Sequence, residues 1–189
     1  YALPVVGGLL ADKYLGMRKA VTFGGAMMAV GMLGMAYKGH AATVDAGVDA
    51  LAVQVMYLSL ALVAVGVGFL KPNISTIVGR LYADDDPRRD SAFTIFYMGI
   101  NLGAFISSLF VGWVGIEYGW EYGFGSAGIG LILGWLVFVT QTKHLQGQAE
   151  PGRPELLDEK RFGIRRETLI YIGALIGVVV VQQILQTRF

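Results

Sequence analysis

Lys71 is the residue with the clearest chemical capacity. No charged residue lies between Ala50 and Leu70, and after Lys71 the next charge is Arg80. The run is about 30 residues, or roughly 45 Å of helix, longer than a roughly 30 Å hydrocarbon core. Lys71 stands about nine residues from the Arg80 end, some 13 Å deep at about 1.5 Å per residue. An ammonium group at that depth is costly and is normally found facing a cavity, a partner or a transport pathway. Two roles suit it, a proton or ligand site in a pathway, or a cation that snorkels to the headgroups or sits in a static ion pair.

Pro72 follows at once. It has no N–H to give to the carbonyl of Gly68, so a kink is expected among Gly66, Gly68 and Asn73, with backbone left open to a neighbour or a ligand. In a later run Tyr97 and Asn101 are four residues apart and share one helix face, with Ser108 two turns further on the same side. Counted from Ser91 they lie about 10 and 16 Å inside, and Tyr1 lies about 16 Å from Asp12 on the first run. Tyr1, Lys71, Tyr97 and Asn101 thus reach one level and form a donor and acceptor set that could hold a small polar ligand. The alternative is that each bonds across a helix pair, worth about 0.6 to 2 kcal/mol.

Other patterns carry less. Gly123-Phe124-Gly125-Ser126-Ala127-Gly128 matches a dinucleotide fingerprint but follows no strand and lies inside an apolar run. Asn73-Ile74-Ser75 matches a glycosylation sequon at a depth where no oligosaccharide fits. There is no cysteine, and His40 and His144 both fall in loops, so neither a thiolate metal site nor a histidine-based nucleophilic centre is expected. No enzymatic activity, metal, organic cofactor or nucleic-acid partner is anticipated.

The elements that must hold these residues are membrane helices. The 189 residues are 54% hydrophobic and 15% charged, against about 25% charged in soluble domains. Six uncharged runs can be read: Tyr1 to Ala11, Ala20 to Tyr37, Ala50 to Leu70 with its extension past Lys71, Ser91 to Ile116, Tyr122 to Thr142 and Thr168 to Thr187. All but the first have spanning length. Lysine and arginine concentrate in the first, third and fifth connecting loops, which predicts that these are cytoplasmic and that each run crosses once. The expected fold is therefore all-α, a polytopic bundle over residues 1–142, a cytoplasmic linker at 143–167 and an additional transmembrane helix at 168–189. The chain is expected to be a piece of a larger polytopic protein.

Two groups of residues carry a family resemblance. The first loop, Gly8-Leu9-Leu10-Ala11-Asp12-Lys13-Tyr14-Leu15-Gly16-Met17-Arg18-Lys19, resembles the cytoplasmic loop signature of the major facilitator superfamily. Phe69-Leu70-Lys71-Pro72-Asn73, followed by Phe96-Tyr97-Met98-Gly99-Ile100-Asn101-Leu102-Gly103, resembles the double signature of its proton-dependent oligopeptide transporter family. The resemblance implies helices two to six of the amino-terminal bundle of a major facilitator fold, plus the extra helix that many bacterial members insert between their bundles. It implies proton-coupled symport of di- and tripeptides across the cytoplasmic (inner) membrane, with protons as the coupling ion. By the same resemblance Lys71 couples protons and meets the peptide carboxylate, Tyr97, Asn101 and Tyr1 line the peptide pocket, Asn73 is a further pocket candidate, and Asp12 and Arg18 belong to the cytoplasmic gate. The family's first-helix Glu-x-x-Glu-Arg motif and its carboxy-terminal bundle do not occur in these residues. A related carrier of nitrate or another small anion is the alternative that Lys71 would also suit.

Overall fold

The computed structural model describes residues 2–38, 49–152, 155–161 and 163–188. The main helices are α1 (Ala2–Leu10), α2 (Met17–Met35), α3 (Ala50–Arg80), α4 (Arg88–Glu117) and α5 (Trp120–Thr140). A π-helical turn, Ala11–Leu15, joins the first two and ends on Gly16, whose φ of 79° requires a residue without a Cβ. After a 3₁₀ turn at Thr142–Leu145 come a short helix α6 (Glu155–Asp158), strands β1 (Lys160–Arg161) and β2 (Ile164–Arg165), and the long helix α7 (Arg166–Arg188). The strands pair antiparallel, Lys160 opposite Arg165.

Among the described residues, α3, α4, α5 and α7 are long and apolar enough to cross a membrane. Helix α2 has 19 residues but opens on Met17-Arg18-Lys19, so charge falls within its length. It nevertheless runs antiparallel along α3, with Gly24 against Gly66 and Gly31 against Ser59, and so traverses the same depth.

Close approach of backbones holds this core together. A Cβ on Gly24 would lie 2.6 Å from the Gly66 carbonyl oxygen, and one on Gly66 would lie 2.7 Å from that of Gly24. Lipid tails are as apolar as leucine, so helices in hydrocarbon associate by packing and polar contacts, which small residues permit. Gly25 meets α5, where a Cβ would lie 2.8 Å from the Trp135 ring, and the Trp135 indole N–H donates to the Thr22 carbonyl at 2.7 Å. The pairs Gly99 and Gly103, Gly130 and Gly134, and Gly173 and Gly177 have open space where a Cβ would be, so their spacing marks no contact among the described residues.

Helix α3 continues without interruption through Pro72. The backbone that proline was expected to leave open for a ligand is covered by α1. A Cβ on Gly7 would lie 2.3 Å from the Gly68 carbonyl oxygen. The Asn73 side-chain amide donates to the Phe69 carbonyl at 2.6 Å and reaches the Gly7 carbonyl at 3.5 Å.

Segment 143–167, expected as a linker, packs against the bundle at several points. Leu145 and Ala149 pack with Met17, Val21 and Ile77, and Leu157 is buried in the larger core with Leu15 and Phe69. The Arg18 amide donates to the Ala149 carbonyl at 2.9 Å, which ties the segment to the first turn of α2.

A valine at Gly24 must push α2 from α3. We expect Gly24→Val to destabilise the full-length protein in detergent by about 1 to 3 kcal/mol, as overpacking does. Gly173→Ala, with nothing within 4 Å of the new Cβ, is expected to leave the thermal midpoint unchanged.

Candidate functional site

The long α3–α4 hairpin sets the relation between the candidate residues. Its turn is closed by Asp86, whose carboxylate receives the Arg88 guanidinium at 2.7 Å and the Arg88 amide at 2.9 Å. The Arg88 contacts hold the Asp86 carboxyl at about 2, below the ordinary aspartate value. From that turn the helices separate. Near it a Cβ on Gly79 would lie 3.4 Å from the Phe93 ring, and one turn deeper Ser75 and Tyr97 line the same cleft. Lys71 is four residues from Ser75 on α3, and Asn101 four from Tyr97 on α4, so each pair lies along one face of its own helix.

Lys71 is exposed and makes no hydrogen bond or ion pair among the described residues. Tyr97 is 53% exposed, and its ring meets those of Phe93 and Phe96, with centroids at 6.3 and 5.5 Å. Asn101 is also exposed; its amide donates to the Tyr97 carbonyl at 2.8 Å, leaving its side-chain carbonyl outward. α3 thus exposes an ammonium, and α4 a phenol and an amide. Separately, α2, α3, α4 and α5 enclose a largely apolar cavity of about 800 Å³, lined by Leu70, Ile74, Gly103 and Ser107 among others.

The other candidates lie elsewhere. Asn73 is 2% exposed in the α1–α3 contact, on a different side of α3 from Lys71, so a direct role in holding a ligand gives way to a role in packing. Tyr1 lies outside the described residues. Asp12 and Arg18 are at the end where the basic loops gather. Asp12 faces Arg80 at 3.8 Å, and Arg18 pairs with Glu150, the second contact being 3.2 Å. The hydrogen bond to Glu150 raises the Arg18 pKa above its ordinary value.

Glu150, Glu167 and Ser75 were not singled out by sequence reasoning. Ser75 had a signal, being four residues from Lys71. Glu150 had none, since its partner is far along the chain. Glu167, on the first turn of α7, accepts from Lys19 at 2.7 Å and from the Tyr171 hydroxyl at 3.3 Å. With Gly16 pressed on Pro151, where a Cβ would lie 2.6 Å from the Pro151 nitrogen, these ion pairs fasten the α1–α2 turn to the segment that leads into α7.

The helix bundle is part of a major facilitator superfamily fold. The model of the POT family matches residues 18–160, and the chain belongs to that family. Over 181 residues it is 39% identical to the uncharacterized transporter YclF of Bacillus subtilis, covering 96% of this chain and 32% of that protein. Dipeptide and tripeptide permease A of Salmonella typhimurium is 38% identical over 133 residues, 70% of this chain and 24% of the permease. A crystal structure of a mutant peptide transporter POT in complex with alafosfalin superposes with a TM-score of 0.72 at 38% identity, covering 95% of this chain and 34% of that one. A bacterial homologue of the human drug peptide transporters gives a TM-score of 0.74 at 26% identity, over 98% of this chain and 38% of the other. The chain thus spans about a third or less of the curated relatives it matches.

Ion pairs as exposed as Arg18–Glu150 contribute about 0 to 1 kcal/mol, whereas Gly16 is fixed by both its φ and its contact with Pro151. Hydrogen exchange at the Arg18 amide is therefore expected to quicken by at most about fivefold in Glu150→Gln. Gly16→Ala is expected to quicken it further, since a Cβ there requires strained backbone or a displaced Pro151.

Proposed function

We propose that the transporter to which this chain contributes carries di- and tripeptides inward together with protons, across the cytoplasmic membrane. The observation that supports this reading is an exposed lysine inside the apolar helix α3, without a partner among the described residues, together with exposed Tyr97 and Asn101 one turn apart on α4. The peptide transporters and the dipeptide and tripeptide permease among the relatives support it independently. No bond is made or broken in such a process, so it needs no cofactor beyond the proton gradient.

In this reading Lys71 contacts the peptide carboxylate and couples it to protons. Tyr97 and Asn101 orient the peptide by hydrogen bonds that change partner as it binds. Asp12 with Arg80 and Arg18 with Glu150 then hold the cytoplasmic end closed until the helices rearrange.

The test is uptake of a labelled dipeptide by the full-length protein in proteoliposomes, with and without an imposed proton gradient. Lys71→Ala is expected to insert normally and to lose gradient-driven accumulation; accumulation at the wild-type level overturns the reading. Tyr97→Phe and Asn101→Ala each remove one hydrogen bond and are expected to raise KM by about two- to tenfold. Competition by nitrate but not by unlabelled dipeptide would assign the site to the small-anion carriers instead.

A further inference from the structure

On the side of α3 away from Lys71, α1, α3 and the cytoplasmic half of α7 enclose a slot of about 460 Å³. Leu3, Leu10, Phe69, Leu169 and Ile170 line its walls, and Gly173 and Gly177 form its floor on α7, with nothing within 4 Å of where either Cβ would be. Its only charged lining residue among the described residues is Arg166, at the cytoplasmic mouth. From Arg166 to Gly177 the slot extends about 16 Å along the helix, close to half of a roughly 30 Å hydrocarbon core. It is therefore one leaflet deep.

The mouth is built around the Tyr14 ring. The Lys13 ammonium and the Arg166 guanidinium each stand 5.4 Å from its centroid. Arg166 also pairs with Glu159 at 2.8 Å, and that carboxylate is half exposed, so an incoming phosphate can compete for the guanidinium. Asp12 faces Arg80 and Glu167 is bound by Lys19, so the nearby acids are directed to other cations.

We propose that this slot binds one anionic glycerophospholipid of the cytoplasmic leaflet, an acyl chain lying over Gly173 and Gly177 and the headgroup phosphate meeting Arg166 and Lys13. A peptide does not suit an apolar slot with no acceptor along its depth. A lipid fits both the depth of one leaflet and cations confined to the headgroup level, where each basic residue is worth about a fivefold gain for an anionic lipid. The lipid would fill the space between α7 and the α1–α3 pair, and so join the additional helix to the bundle.

The experiment uses the full-length transporter, exposed in mild detergent to phosphatidylglycerol or phosphatidylcholine, with retained lipid counted by native mass spectrometry. Wild type is expected to retain one phosphatidylglycerol in preference to phosphatidylcholine. Arg166→Gln is expected to reduce that preference about fivefold, and Glu159→Gln, which releases the guanidinium, to increase it. Gly173→Leu, which fills the slot, is expected to abolish retention of both lipids. Equal retention of the two lipids by wild type, or retention by Gly173→Leu at the wild-type level, overturns the proposal. Glu159→Gln leaves both mouth cations in place, so the headgroup claim stays testable if Arg166→Gln fails to fold; an unchanged preference there counts against it.

Discussion

The structure depends on what becomes of one carbonyl. Pro72 cannot donate to Gly68, and inside hydrocarbon a backbone acceptor must find its surroundings in protein. It is met by Gly7, at a separation that admits no side chain, and the adjoining turn is secured by Asn73, whose amide bridges Phe69 to Gly7 across the helix boundary. Replacing α1 by a helix with any larger residue at that point would lift it from α3 and uncover the proline turn. The proline thus creates a place where α1 must sit.

That docking determines which face of α3 is left over. With α1 against Gly68 and Asn73, and α2 against Gly66 and Ser59, Lys71 falls on the remaining, exposed side of α3. The same constraint therefore sorts two adjacent polar residues into different roles. Asn73 is buried and satisfied, whereas Lys71 has no partner among the described residues and remains available to a ligand.

Much of this was legible in the sequence, because helical periodicity and hydrocarbon thickness are local constraints. The uncharged runs gave the helices, and four-residue spacing placed Tyr97 and Asn101 on one face. Lys71 stood out because a charge in an apolar run has few tolerable environments. Asn73 was misjudged for a related reason: depth was readable, but direction around the helix depends on which neighbour claims the proline turn. The glycine seams showed the same limit. Gly24 and Gly25 are adjacent and equally small, yet one meets α3 and the other Trp135, since only the rotation of α2 decides between them. The strap from Glu150 and Glu167 to Arg18 and Lys19 was invisible because its pairs are distant in sequence and any mixed-charge, proline-bearing segment reads as a linker.

The strap gives the additional helix a mechanical meaning under the carrier reading. An alternating-access cycle needs the cytoplasmic ends of some helices to move while the bundle core stays intact. Here the core is joined by backbone-to-backbone glycine contacts, which yield only as a unit, while the α1–α2 turn is joined by exposed ion pairs, which exchange readily with water. Gly16 and Pro151 are the exception, a rigid contact placed at the flexible end. Motion of the α1–α2 turn must therefore carry residues 142–152 with it, and through Glu167 and Lys19 it is felt at the first turn of α7. α7 is in this sense mechanically joined to the α1–α2 turn, which it also touches through Arg166 over the Tyr14 ring.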